Sequence, residues 1–174
     1  MDFLSDNAGC LVAALTIAIP MLIIVHWFLK KDLEAKRVDL IAGIRKEIMP
    51  QKLQAYERLT LLLERVAPES LVLREQKQGM NSLKFHTFLL RVIRNEFDHN
   101  LAMQIYVPVK TWELIENARI ELLKLVNSSA ATVNPESSSI ELGRTIIENS
   151  TGDVKYHFNK ALNALKKDIE LLYR

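Results

Sequence analysis

Residues Gly9 to Leu29 read Gly-Cys-Leu-Val-Ala-Ala-Leu-Thr-Ile-Ala-Ile-Pro-Met-Leu-Ile-Ile-Val-His-Trp-Phe-Leu. The run carries no charge, and its only polar side chains are Thr16 and His26. At a helical rise of about 1.5 Å per residue it extends about 30 Å, the thickness of the hydrocarbon layer of a bilayer. Everything after it is charged and amphipathic. The run therefore reads as a transmembrane helix, and the remainder as one domain outside the membrane.

The flanks argue for an uncleaved anchor. A signal peptide opens on basic residues, carries a shorter apolar stretch and ends in small residues. Here the preceding segment, 1–8, is acidic through Asp2 and Asp6, and the run ends in Trp27-Phe28-Leu29-Lys30-Lys31. Trp27 suits the interfacial belt. After the run come Lys30, Lys31, Lys36, Arg37, Arg45 and Lys46, against Asp32, Glu34 and Asp39. The positive-inside bias then predicts an outer N-terminus and a cytoplasmic C-terminal domain in the inner membrane. Lys30, Lys31, Lys36 and Arg37 are the membrane-surface basic residues, each gaining about 1 kcal/mol near anionic headgroups. Cys10, the lone cysteine, lies inside the run and has no intramolecular partner. The sequons at Asn127 and Asn149 are chance matches if the domain is cytoplasmic. Gly9/Ala13 and Ala14/Ala18 have the small-xxx-small spacing that lets membrane helices approach.

The spacing predicts an all-α protein: a single N-terminal transmembrane helix followed by a cytoplasmic helical bundle of about five helices. The boundaries are 1–8 for a short outer segment, 9–29 for the span, 30–50 for a helical stalk and 51–174 for the cytoplasmic domain. Val38, Ile41, Ile44 and Ile48 recur at helical spacing in the stalk, which Pro50 is expected to stop. Leu53, Tyr56, Leu59, Leu63 and Val66 stripe a helix over 51–66. Residues 68–80 read as a connector whose Leu71, Val72 and Leu73 tuck under the core. Helices are predicted over 82–105, about 111–127, 139–149 and 154–173. Ser138 and Glu141 have capping-box spacing, and Asp153 suits an N-cap.

The glycines are scattered, with no phosphate-binding loop, no paired-cysteine metal motif and no nucleophile elbow. The net charge of +2, with acids and bases interleaved, excludes the strongly basic profile of a nucleic-acid-binding domain. Neither a cofactor nor a small-molecule substrate is expected. Glu96-Phe97-Asp98-His99 forms a Glu-x-x-His pair, which in di-metal bundles supplies two ligands from one helix. That chemistry needs a second such pair, and none is present. Glu96 and His99 are therefore a secondary metal candidate. The simpler reading joins Gln54, Tyr56, Glu57 and Arg58 to Glu96, Asn100 and Gln104 as a polar cluster between two helices. Arg58 is then expected to pair with an acid such as Glu96, either fixing the packing or presenting a docking surface.

Gln54-Ala55-Tyr56-Glu57-Arg58-Leu59, Leu62-Leu63-Glu64-Arg65-Val66 and Arg94-Asn95-Glu96-Phe97-Asp98-His99-Asn100-Leu101 carry a resemblance. They resemble an uncharacterised family of small bacterial proteins with one N-terminal membrane helix and a cytoplasmic helical domain. The resemblance implies an inner-membrane location and brings no activity. The expected function is non-enzymatic: an anchored scaffold that docks a protein partner at the cytoplasmic face or forms a homo-oligomer through Val38, Ile41 and Ile48. The alternatives are a membrane-bound metal-dependent enzyme using Glu96 and His99, and an accessory subunit of a larger membrane complex.

Overall fold

A computed structural model describes residues 2–77 and 79–172, except the side chains of 2–11, 13–15 and 35. The protein is all-α: α1 (Asp2–Val66), α2 (Pro68–Glu75), α3 (Ser82–Asn100), a 3-10 helix (Leu101–Tyr106), α4 (Val109–Thr132), α5 (Ser139–Asn149) and α6 (Asp153–Leu172). Among the described residues there is no strand, only one isolated antiparallel bridge between Asn81 and Ser138. The chain divides into two compact units, 1–49 and 50–174.

The second unit holds the core, built from apolar residues three and four apart. Tyr56, Leu59, Leu63 and Val66 come from α1, Phe85, Leu89, Ile93 and Phe97 from α3, and Ile115, Ala118, Leu122 and Val126 from α4. Leu142 and Ile146 of α5 and Val154, Phe158, Ala161 and Leu165 of α6 complete it. This is the spacing that places side chains on one helical face. Helix α4 packs most extensively on α6, and α3 lies against α4 and α5. Gly143 lets α5 approach α2, because a Cβ there would meet Val72 Cγ1 at 2.9 Å.

Serine side chains tie the 133–138 loop to the start of α3. Ser82 Oγ lies 2.8 Å from Ser137 Oγ and donates to the Ser138 carbonyl at 3.0 Å, while Asn81 caps α3 by accepting from the Lys84 N–H. Ser138 caps α5 by accepting from the Ile140 N–H, and the Glu141 N–H goes to the Ser138 carbonyl. Gly152, at φ 112°, makes the left-handed turn into α6.

Several boundaries differ from the sequence reading. Helix α1 continues through Pro50; a proline removes one helical hydrogen bond without obliging the flanking turns to unwind. The expected connector at 68–80 contains α2, with Pro68 in its first turn, where a missing N–H is harmless. Leu71 and Val72 are buried, but Leu73 points outward at 72% exposure. Helix α3 stops at Asn100, whose side-chain amide donates to the Glu96 carbonyl at 2.8 Å. The chain then tightens into the 3-10 helix, leaving Leu101 and Ile105 exposed. Helix α4 runs to Thr132, beyond the expected end near 127, and Asp153 is the first residue of α6.

No helix among the described residues is long and apolar enough to cross a membrane. Six residues of the 9–29 run, Gly9, Cys10, Leu11, Ala13, Ala14 and Leu15, have side chains outside the described set. The small-residue pairs and the cysteine reading fall on them.

Candidate functional site

Two of the sequence motifs meet in the second unit. Arg58, Leu61, Leu62 and Arg65 of α1 face Val92, Asn95, Glu96, His99 and Asn100 of α3 across an open groove of about 590 Å³. The register explains the lining. Residues 58, 61, 62 and 65 are one face of α1, and 92, 95, 96, 99 and 100 are one face of α3. Below them lies the core, through Leu59, Leu63, Ile93 and Phe97.

Glu96 takes its cation from Arg65, not Arg58. Arg65 Nε and Nη2 both donate to Glu96 Oε1, at 3.1 and 2.7 Å. Arg74 Nη2 lies 4.0 Å from the same oxygen, while Arg74 Nη1 donates to the Arg65 carbonyl at 2.8 Å. Arg58 and Arg65 are seven residues apart on α1 and share a face, so the offset of α3 along α1 decides which one reaches Glu96. Arg65 is more than half exposed, which limits the pair to less than about 1 kcal/mol. Arg58 is half-buried at the groove. Arg58, Asn95 and His99 carry no side-chain hydrogen bond or ion pair among the described residues.

The remaining candidates separate. Gln54, Glu57 and Gln104 are exposed and do not line the groove; Gln104, expected in the polar cluster between two helices, sits on the 3-10 helix. Tyr56 faces the core at 1% exposure. Burial, with the negative charge of Asp168 on α6, pushes its phenol up to about 12. Asp168 accepts a 2.6 Å hydrogen bond from buried Thr111 of α4, so Thr111 and Asp168 tie α4 to α6 away from the groove. Glu96 and His99 share the groove, but Arg65 occupies the Glu96 carboxylate. No group of three His, Cys, Asp or Glu side chains among the described residues is arranged to hold a metal ion.

In the first unit, Lys30, Lys31, Lys36 and Arg37 are exposed. Lys31 Nζ lies 5.9 Å from the Trp27 ring centre, and Lys36 bonds Asp32 at 2.8 Å. Sequence reading missed Arg65, although its spacing of seven from Arg58 marks it as a second basic position on the same face.

A model of a family of unknown function, DUF7935, matches residues 2–172. The chain belongs to that family. No curated protein and no solved structure matches it. The DUF7935 match spans both units of the chain.

Proposed function

We propose that this DUF7935 protein is a membrane-anchored interaction protein. Its 9–29 run crosses the inner membrane with the N-terminus outside, and its cytoplasmic helical domain presents the α1/α3 groove to a protein partner. One observation carries the anchor. Apart from His26, the described side chains from Ile17 to Leu29 are apolar around the whole helix and exposed on every side, with Ile17, Leu22, Ile24, Trp27 and Phe28 all above 65%. A helix apolar all round is made for a nonaqueous surrounding. The basic residues after Leu29 support the orientation. Arg58 supports the groove as the docking face: it is a half-buried cation without an acid, beside Leu61, Leu62 and Val92. That combination suits an amphipathic segment carrying a carboxylate.

The test is a carbonate extraction of native membranes followed by affinity purification in mild detergent. The chain should remain in the pellet and bring a stoichiometric partner that Arg58→Glu loses. Extraction into the supernatant refutes the anchor, and a partner retained by Arg58→Glu refutes the groove.

A further inference from the structure

Beyond the run, α1 within the first unit carries an uncovered apolar stripe. Taking Ile44 as reference and about 100° per residue, Leu33, Leu40, Ile41 and Ile48 fall within an arc of about 100° around it. All five are exposed, from 48% at Ile48 to 68% at Leu40. Asp32, Asp39 and Lys46 lie on the opposite side, and Val38 lies off the stripe. The stripe covers about 22 Å of helix axis.

Its occupant follows from the continuity of the helix. Between Met21 and Ile48 there is no proline and one glycine, Gly43, and α1 runs unbroken through it. Sharp bends come at proline, at glycine–serine pairs or at a bulge in the hydrogen-bond ladder, and Gly43 has no serine beside it. The stripe therefore continues along the axis of the run and, with the run in a bilayer, rises out of the headgroups rather than lying on them. Ile48 then stands about 28 Å beyond Leu29. An anchor of fixed orientation holds every copy parallel and at the same depth, so each residue of the stripe meets its own counterpart. Positions 33, 37, 40, 44 and 48 are spaced 4, 3, 4 and 4, a single seam down the helix. Arg37 is the one charge on that seam, and a lone charge at such a position fixes register while weakening the pair.

We propose that two copies of this chain pair in parallel and in register through the Leu33–Ile48 face of α1. The proposal rests on the anchor reading. It is tested on the full chain in native membranes, with Cys10→Ser removing the lone native thiol. Single cysteines are placed on the stripe (Leu40→Cys, Ile44→Cys) and behind it (Asp39→Cys, Lys46→Cys), then oxidised and resolved on non-reducing gels. A disulfide forms only between Cα atoms within about 7 Å. Dimer bands are expected at 40 and 44 and absent at 39 and 46, with Arg37→Leu strengthening them and Ile44→Asp abolishing cross-linking at 40. Equal bands on both faces, or none at 40 and 44 in carbonate-resistant protein, overturn the pairing and leave the anchor standing. Release of the chain by carbonate overturns the anchor and, with it, the parallel pairing that rests on it.

Discussion

Replacing Gly143 by alanine sets two effects of known sign against each other. Glycine inside a helix costs about 1 kcal/mol relative to alanine, and a buried methyl gains about 0.8 kcal/mol. Against this, the new Cβ would lie 2.9 Å from Val72 Cγ1, where carbon atoms prefer about 3.5–4.0 Å. Val72 is buried and β-branched, so its χ1 has little freedom to turn aside. Overpacking of this kind costs about 1–3 kcal/mol, and the rigidity of the neighbour points to the upper half of that range. The expected net loss is about 0.7 kcal/mol. For a cooperative unit of about 125 residues this lowers Tm by about 3 °C. The assay is thermal unfolding of the full chain in mild detergent, followed by Trp112 fluorescence. The diagnostic is the double variant. Val72→Ala removes the methyl that Cβ would strike, so Gly143→Ala should become neutral or stabilising in that background, with a coupling of about 1 kcal/mol or more. A Gly143→Ala protein as stable as the parent, or strictly additive losses, would refute the close approach of α5 to α2.

Three further outcomes are expected. Folding holds the Tyr56 phenol protonated to about pH 12, whereas the unfolded chain releases that proton near 10.0. The native state then binds the extra proton between those values, so stability falls as pH rises through that window. Tyr56→Phe should flatten this part of the urea-unfolding profile, and parallel decline of both proteins would reject the assignment; Asp168→Asn should move the Tyr56 phenolate absorbance to lower pH. Ser138→Ala removes the side-chain cap of α5 and should cost about 1 kcal/mol, read as a lower urea midpoint at unchanged m-value. Residues 50–174 should fold alone with the cooperativity of the full chain, because every described buried apolar residue lies at Ala55 or beyond; a molten far-UV transition in that fragment would count against the division into two units.

The elements legible in the sequence are those whose apolar spacing and end signals agree. Helix α5 begins and ends as read because Ser138 caps it and the glycine turn follows, and α6 keeps its stripe from Val154 to Leu165. Helix α2 was illegible because eight residues between a proline and a glycine give one turn of pattern on each side, too few to separate a helix from a connector. The end of α3 was hidden for another reason. Leu101 and Ile105 continue the apolar period, but the Asn100 amide engages the Glu96 carbonyl and the following residues turn outward. The groove was half legible. Its two faces, around Arg58 and Glu96, stand out as polar positions beside apolar stripes, whereas the partner of Glu96 depends on the axial offset of two packed helices. No single-chain periodicity contains that offset, and Arg65 fills the position expected of Arg58.

The strength of the proposed α1 pairing leads to a last prediction. Burying a fully exposed leucine or isoleucine gains about 1.5–3 kcal/mol, and the five stripe residues are about half to two-thirds exposed. Pairing covers one side of each, so roughly 1 kcal/mol per residue per chain is available, or about 10 kcal/mol in all. Association from dilute solution costs about 4–15 kcal/mol in lost translation and rotation, and the facing Arg37 side chains subtract further. The two sums are of the same size, so the stripe alone does not hold a dimer in water. An anchored chain has already lost tilt, depth and orientation to the bilayer, which leaves the stripe only lateral motion to overcome. Residues 30–174, which keep the whole stripe but lack the run, are therefore expected to be monomeric by analytical ultracentrifugation at micromolar concentration, while the full chain cross-links at 40 and 44. A stable dimer of residues 30–174 would show that the stripe pairs without help from the anchor, and that this accounting of the association cost is wrong.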